Sequence, residues 1–115
     1  RQFGMKARSV FLGALATSAT TCYTVPANTR SKLTLLHVAP TSATTTIPNL
    51  SIKVGNTTIP VVTAQSLAVG TSATYFSSTE YVMLEAGTLV VAHSNNSACS
   101  LIMTVEETPF LVSTA

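Results

Sequence analysis

The sequence predicts an all-β protein: a single antiparallel β-sandwich, jelly-roll-like, of about eight strands, with an extended N-terminal arm and a C-terminal tail. Three observations carry this. Val, Ile, Leu and Thr alternate with a period of two in short runs, the mark of half-buried strands. Turn signals recur every 8–12 residues, as they do in sandwiches and jelly rolls. No window of useful length holds the i, i+3, i+4, i+7 spacing of an amphipathic helix.

Taken in order, residues 1–8 form the arm, 9–107 the sandwich domain and 108–115 the tail. Strands are expected near 9–16, 21–25, 31–39, 49–54, 57–63, 73–77, 81–84, 88–94 and 98–106. In the first, Val10, Leu12 and Ala14 alternate with Phe11, Gly13 and Leu15. In the second, Tyr23 and Val25 alternate with Cys22 and Thr24 until Pro26, which has no N–H to donate, stops the ladder. Asn28 suits the turn that follows, and either Leu33, Leu35 and His37 or Leu36 and Val38 continue the alternation. Leu35 and Leu101 are expected core positions. Gly55-Asn56 marks a short hairpin, with Pro60 beyond it at a sheet edge. Glu85-Ala86-Gly87 and Ser94-Asn95-Asn96-Ser97 supply two further turns. Pro109 prevents simple extension of the last strand into the apolar Phe110, Leu111 and Val112. An up-and-down barrel is the alternative architecture.

At 115 residues the chain is one domain, able to bury about 65% of its unfolded surface without staples. Its charge is unusual: 9% charged residues, against about 25% in typical soluble domains. There is no Asp, and Ser and Thr fill the outward positions. Such a surface gives little colloidal repulsion, which suits a protein partly covered in an assembly. The six basic residues all precede residue 54, whereas Glu80, Glu85, Glu106 and Glu107 follow residue 79. That asymmetry has two readings: end-specific partners or head-to-tail contacts between copies, or chance in a chain with so few charges. A net charge of +2 is too small for a nucleic-acid surface. No run reaches the ~20 apolar residues of a membrane helix, so no membrane association is expected. Residues 5–21 have a basic start and an apolar core like a secretory signal, but the apolar stretch is at the minimum length and also reads as a strand.

No catalytic constellation is evident, and no enzyme activity, cofactor or metal is expected. His37 and His93 each sit within apolar strands without an evident third ligand. Glu106 and Glu107 point to opposite faces of a strand and cannot share one substrate. Gly55, Gly70 and Gly87 are isolated turn glycines and build no phosphate loop. Cys22 and Cys99 are expected as buried thiols, with a bridge between the second and last strands as the alternative. Asn49, Asn56 and Asn95 begin glycosylation-like triplets that arise easily in a Ser/Thr-rich chain. Tyr75, Phe76 and Tyr81 are the sole aromatic cluster that a sugar platform could use.

The run Tyr23-Thr24-Val25-Pro26-Ala27-Asn28-Thr29, closing one strand and leading to a longer strand with a medial His37, resembles the opening of small bacteriophage virion proteins. The likeness covers most of the chain in pattern and about this heptapeptide in letter. It implies a virion structural protein on the outer surface of the particle, most simply a head decoration or cement protein bound to the major capsid protein. A tail, collar or fibre component and a receptor- or glycan-binding sandwich are the alternatives. Self-association as a dimer or trimer is expected. The partner-binding candidates are Arg1, Phe3, Lys6 and Arg8 in the arm and Phe110 and Leu111 in the tail.

Overall fold

A computed structural model describes residues 6–41, 46–63, 66–77 and 79–109. Nine strands, and no helix among the described residues, follow one another: β1 (Lys6–Ala14), β2 (Thr20–Thr24), β3 (Thr29–Pro40), β4 (Pro48–Val54), β5 (Thr57–Val62), β6 (Ala73–Tyr75), β7 (Val82–Leu84), β8 (Leu89–Ser94) and β9 (Cys99–Pro109). They form two antiparallel sheets. One has the order β1-β9-β3-β6 with β7 also paired to β3, and the other the order β2-β8-β4-β5.

This order is that of a long two-stranded ribbon rolled up. Its tip is the β4–β5 hairpin, and moving back along it β3 pairs with β6 and β7, β2 with β8, and β1 with β9. Rolling adds the ladders β3–β9 and β4–β8, which make two sheets out of one ribbon. That is the jelly roll anticipated from the turn spacing, with one strand position filled by the two three-residue pieces β6 and β7. The up-and-down barrel is thereby ruled out. At the ribbon's tip Gly55 has φ +60° and takes the first place of a two-residue turn, a position glycine fills without steric cost. Asn28 adopts φ +57° at the corner before β3, and Pro60 lies on β5, an edge strand, as read from the sequence.

The core is the space between the sheets. Leu33, Leu36, Val38, Leu101, Met103 and Val105 from one sheet meet Leu50, Ile52, Val90, Ala92 and Tyr23 from the other, all buried. Each fully buried Leu or Val side chain contributes about 1.5–3 kcal/mol through removal of apolar surface from water.

Four strands carry an extra residue that breaks the period of two: β1 at Val10, β2 at Cys22, β3 at Thr34 and β5 at Val61. The one in β3 corrects a sequence expectation. Ser31 and Leu33 face inward, the register then slips, and the inward set becomes Leu36 and Val38. Leu35 is therefore only half-buried, while Leu101 is fully buried as expected. Strand β1 also begins at Lys6, three residues earlier than the alternation suggested, because Lys6 and Arg8 lie opposite Glu107 and Val105 of β9. Cys22 and Cys99 are free thiols, one on each sheet.

Candidate functional site

Strand β9 is the key to the charged residues. Its alternate positions Cys99, Leu101, Met103 and Val105 face the core, and Glu107 continues that row. A carboxylate is thus carried to the inner side of the sandwich, only 9% exposed. On β1, Arg8 faces the same way and grips both of its oxygens, Nε to Oε1 at 2.7 Å and Nη2 to Oε2 at 3.0 Å. From the opposite sheet the Tyr23 hydroxyl donates to Oε2 at 2.5 Å and lies 2.5 Å from Ser31 Oγ. Burial and the hydrogen bond to Glu107 push the Tyr23 phenol up to about 12. The Arg8 guanidinium holds the Glu107 carboxyl below its ordinary value against the opposing effect of burial, helped by the Tyr23 bond and by the charge of Lys6. The group closes the margin where edge strands β1 and β2 meet.

The arm candidates divide accordingly. Arg8 is engaged within the chain, and Lys6 stands at the start of β1 beside the same carboxylate. Arg1, Phe3, Phe110 and Leu111 lie outside the described residues. The charge asymmetry resolves in the same way. Arg8–Glu107, Arg30–Glu85 and Lys32–Glu106 pair inside one chain, because β9 inserts between β1 and β3 and β7 adjoins β3. These three pairs lie within one chain.

The remaining candidates separate in space. His37 lies on β3 of one sheet and bonds through Nδ1 to the Thr74 hydroxyl at 2.7 Å, whereas His93 lies on β8 of the other sheet. No group of three metal-ligating side chains occurs among the described residues. The aromatic cluster does not form a platform: Tyr75 and Phe76 pack against the core, and Tyr81 sits under the Lys32 ammonium, 4.3 Å from its ring centre. His93, directly across from Asn49, does line a groove of about 390 Å³ over the second sheet, together with Thr21, Ser51, Lys53 and Thr58.

Sequence reading missed a second groove, of about 470 Å³, at the opposite margin of the sandwich. There β5 and β7, an edge strand from each sheet, stand apart. The lining is apolar: Ile52, Val54, Ile59, Val61, Phe76 and Val82 are prominent, with Glu85 as the charged member. Val54 and Ile59 are each 52% exposed. Phe76 adopts φ +70°, a left-handed conformation that costs a bulky residue strain. The available signal was the hydrophobic density of Ile52, Val54, Ile59 and Val61 around the Gly55-Asn56 turn, more apolar than a strictly alternating edge hairpin requires.

A scan of protein-family models finds no match to the chain, and a search of curated proteins finds none either. Among solved structures the chain is similar to a pentameric capsid protein isolated from metagenomic phage sequences, in two determinations. In the first, identity is 18% and the TM-score 0.45, over 88% of this chain and 62% of that one. The second gives the same identity and TM-score over 60% of its chain. This chain thus spans about three fifths of the length of those proteins. A further similar structure is the N-terminal endo-1,4-β-D-xylanase 10B of Clostridium thermocellum, CBM22-1 and GH10 modules complexed with xylohexaose. Its identity is 13% and its TM-score 0.39, over 97% of this chain and 27% of that one.

Proposed function

We propose that the chain is a non-enzymatic structural protein of a bacteriophage particle, and that it decorates or cements the head by binding the assembled shell from outside. The observation that carries this reading is the jelly-roll strand order, the architecture of many viral capsid domains. Since a fold by itself assigns no function, the Tyr23–Thr29 corner and its resemblance to small virion proteins supply the specific support. The surface agrees with it. Described strands present Ser and Thr outward, and three of the four Glu are already engaged inside the chain, leaving a face suited to close neighbours.

In this reading the basic Arg1 and Lys6, with Phe3 as an apolar anchor, contact the major capsid protein, and the jelly-roll body stays rigid. Affinity then comes from many repeated contacts over the shell. Copies of the chain also associate with one another in a closed oligomer, a dimer or trimer in the simplest case.

The test is the copy number of the chain in purified particles, by quantitative mass spectrometry against the major shell protein. A simple ratio to the shell supports decoration. A few copies per particle moves the protein to the tail, collar or fibres, and absence from the particle overturns the virion role. Deleting residues 1–5 sharpens the first outcome: attachment to shells is expected to weaken while the thermal midpoint stays nearly unchanged.

A further inference from the structure

We propose that the groove on the outer face of the second sheet binds a saccharide carrying a single carboxylate. Its floor runs along β8, where Leu89, Val91 and His93 point outward while Val90 and Ala92 enter the core. The register sets polar groups beside that floor. Thr21 and Ser51 lie opposite Val91 from either side, Lys53 lies opposite Leu89 with Thr58 beyond it, and Asn49 lies opposite His93. Leu89 and His93 mark the two ends, and at about 3.3 Å per strand residue the groove is about 13 Å long. Its volume of about 390 Å³ falls within the range of small-molecule sites, about 300–1,000 Å³.

Lys53 stands apart from the other described bases. Arg8, Arg30 and Lys32 pair with Glu107, Glu85 and Glu106, and Lys6 adds its charge beside Glu107. Among the described residues no carboxylate pairs with Lys53, and none lines the groove. An uncompensated ammonium at one end complements an anion. One cation matches one anionic group, whereas a polyanionic backbone takes a row of bases. An extended peptide fits no better. Strand β8 lies between β2 and β4, and β4 between β8 and β5, so the backbone groups under the groove are engaged in ladders and offer no edge for an added strand. Side chains must do the recognition. The hydroxyls of Thr21, Ser51 and Thr58 each donate and accept, and they flank the apolar Leu89 and Val91. A sugar ring presents the matching combination, hydroxyls at its rim and C–H groups on its face. No aromatic ring lines the groove, so the ion pair with Lys53 supplies the orientation that stacking gives elsewhere.

The experiment is a nuclear magnetic resonance titration of the full chain with aldotriouronic acid, a trisaccharide with one carboxylate, and with its carboxyl-reduced, uncharged form. The titration reads the free chain, so its outcome is independent of attachment to a particle. Saturable shifts are expected at the Leu89 and Val91 methyls and the His93 ring, while the core Leu101 and Val38 methyls stay in place. Reducing the carboxylate should weaken binding about ten-fold, and Lys53→Gln should do the same. The variant should keep its thermal midpoint, because Lys53 points away from the core. Ser51→Ala should weaken binding a few-fold, and acetate alone should leave the groove signals unmoved. Groove signals that show no saturable shift would overturn the proposal. So would equal binding of the charged and reduced sugars, or acetate reproducing the whole effect, which would leave only a generic anion contact.

Discussion

The two long margins of the sandwich are closed by opposite kinds of chemistry. Where β1 meets β2, Arg8, Glu107, Tyr23 and Ser31 reach across from both sheets and satisfy one another's hydrogen bonds. Where β5 faces β7, no such group among the described residues spans the gap, and Ile52, Val54, Ile59 and Val61 line an open apolar groove. The first margin is directional: its geometry is fixed by a bidentate guanidinium and a hydroxyl, so it accepts one arrangement. The second is non-directional and accepts any apolar surface of suitable shape.

Variants can pull the two margins apart. The largest effect is expected at the centre they share: Leu101→Ala, fully buried, should cost about 2–5 kcal/mol in denaturant unfolding. Next comes Glu107→Ala, which leaves the Tyr23 hydroxyl without its carboxylate and should cost about 1–3 kcal/mol. A cost near zero would mean that the polar margin adds no stability. Tyr23→Phe keeps the ring in the core and removes only the hydroxyl, for about 1 kcal/mol. Ile59→Ser on the open margin should change stability by about 0.5 kcal/mol or less, because the side chain is already half in water. A loss as large as that at Glu107 would erase the contrast.

The polar margin should also set the pH limits. The folded state holds the Glu107 carboxyl below its ordinary 4.5, so its stabilisation is complete above that value and drains away as pH falls through the folded pKa. Tyr23 shifts the other way, from 10 to about 12, so its contribution is complete below pH 10 and is lost as pH rises toward 12. Thermal melts across pH should therefore show an acid limb that flattens in Glu107→Gln and an alkaline limb that flattens in Tyr23→Phe. Limbs unchanged in the variants would assign the pH dependence to other groups.

Much of the fold was legible in the residues themselves. Alternation gave the strands, Gly55-Asn56 the hairpin at the ribbon's tip, and Pro60 the edge, because each is a local consequence of backbone chemistry. The inserted residues were not legible. Thr34 has nothing in its side chain that announces a slip, yet the extra residue there exchanges Leu35 for Leu36 as the core residue. Ion pairing stayed hidden for a related reason: which acid meets which base depends on β9 lying between β1 and β3, a non-local fact. For the candidate site, Arg8 was named only as one of the basic residues near the start, and it is the register that brings it to Glu107. Glu107 could have been found, since it continues the inward row of Leu101, Met103 and Val105.

The position of β9 has a consequence for how the protein is made. It is the last of the nine strands along the chain, yet it is an inner strand of the five-stranded sheet, flanked by β1 from the beginning and β3 from the middle. Emerging vectorially from a ribosome, β1 and β3 have no shared partner until residues 99–109 are synthesised. The β1–β9 and β3–β9 ladders must therefore wait for residues 99–109, and these pairings, distant in sequence, belong to the slow regime of folding. During that wait the β4–β5 hairpin, which among the described strands is the pair formed by consecutive elements, is the natural place for assembly to begin.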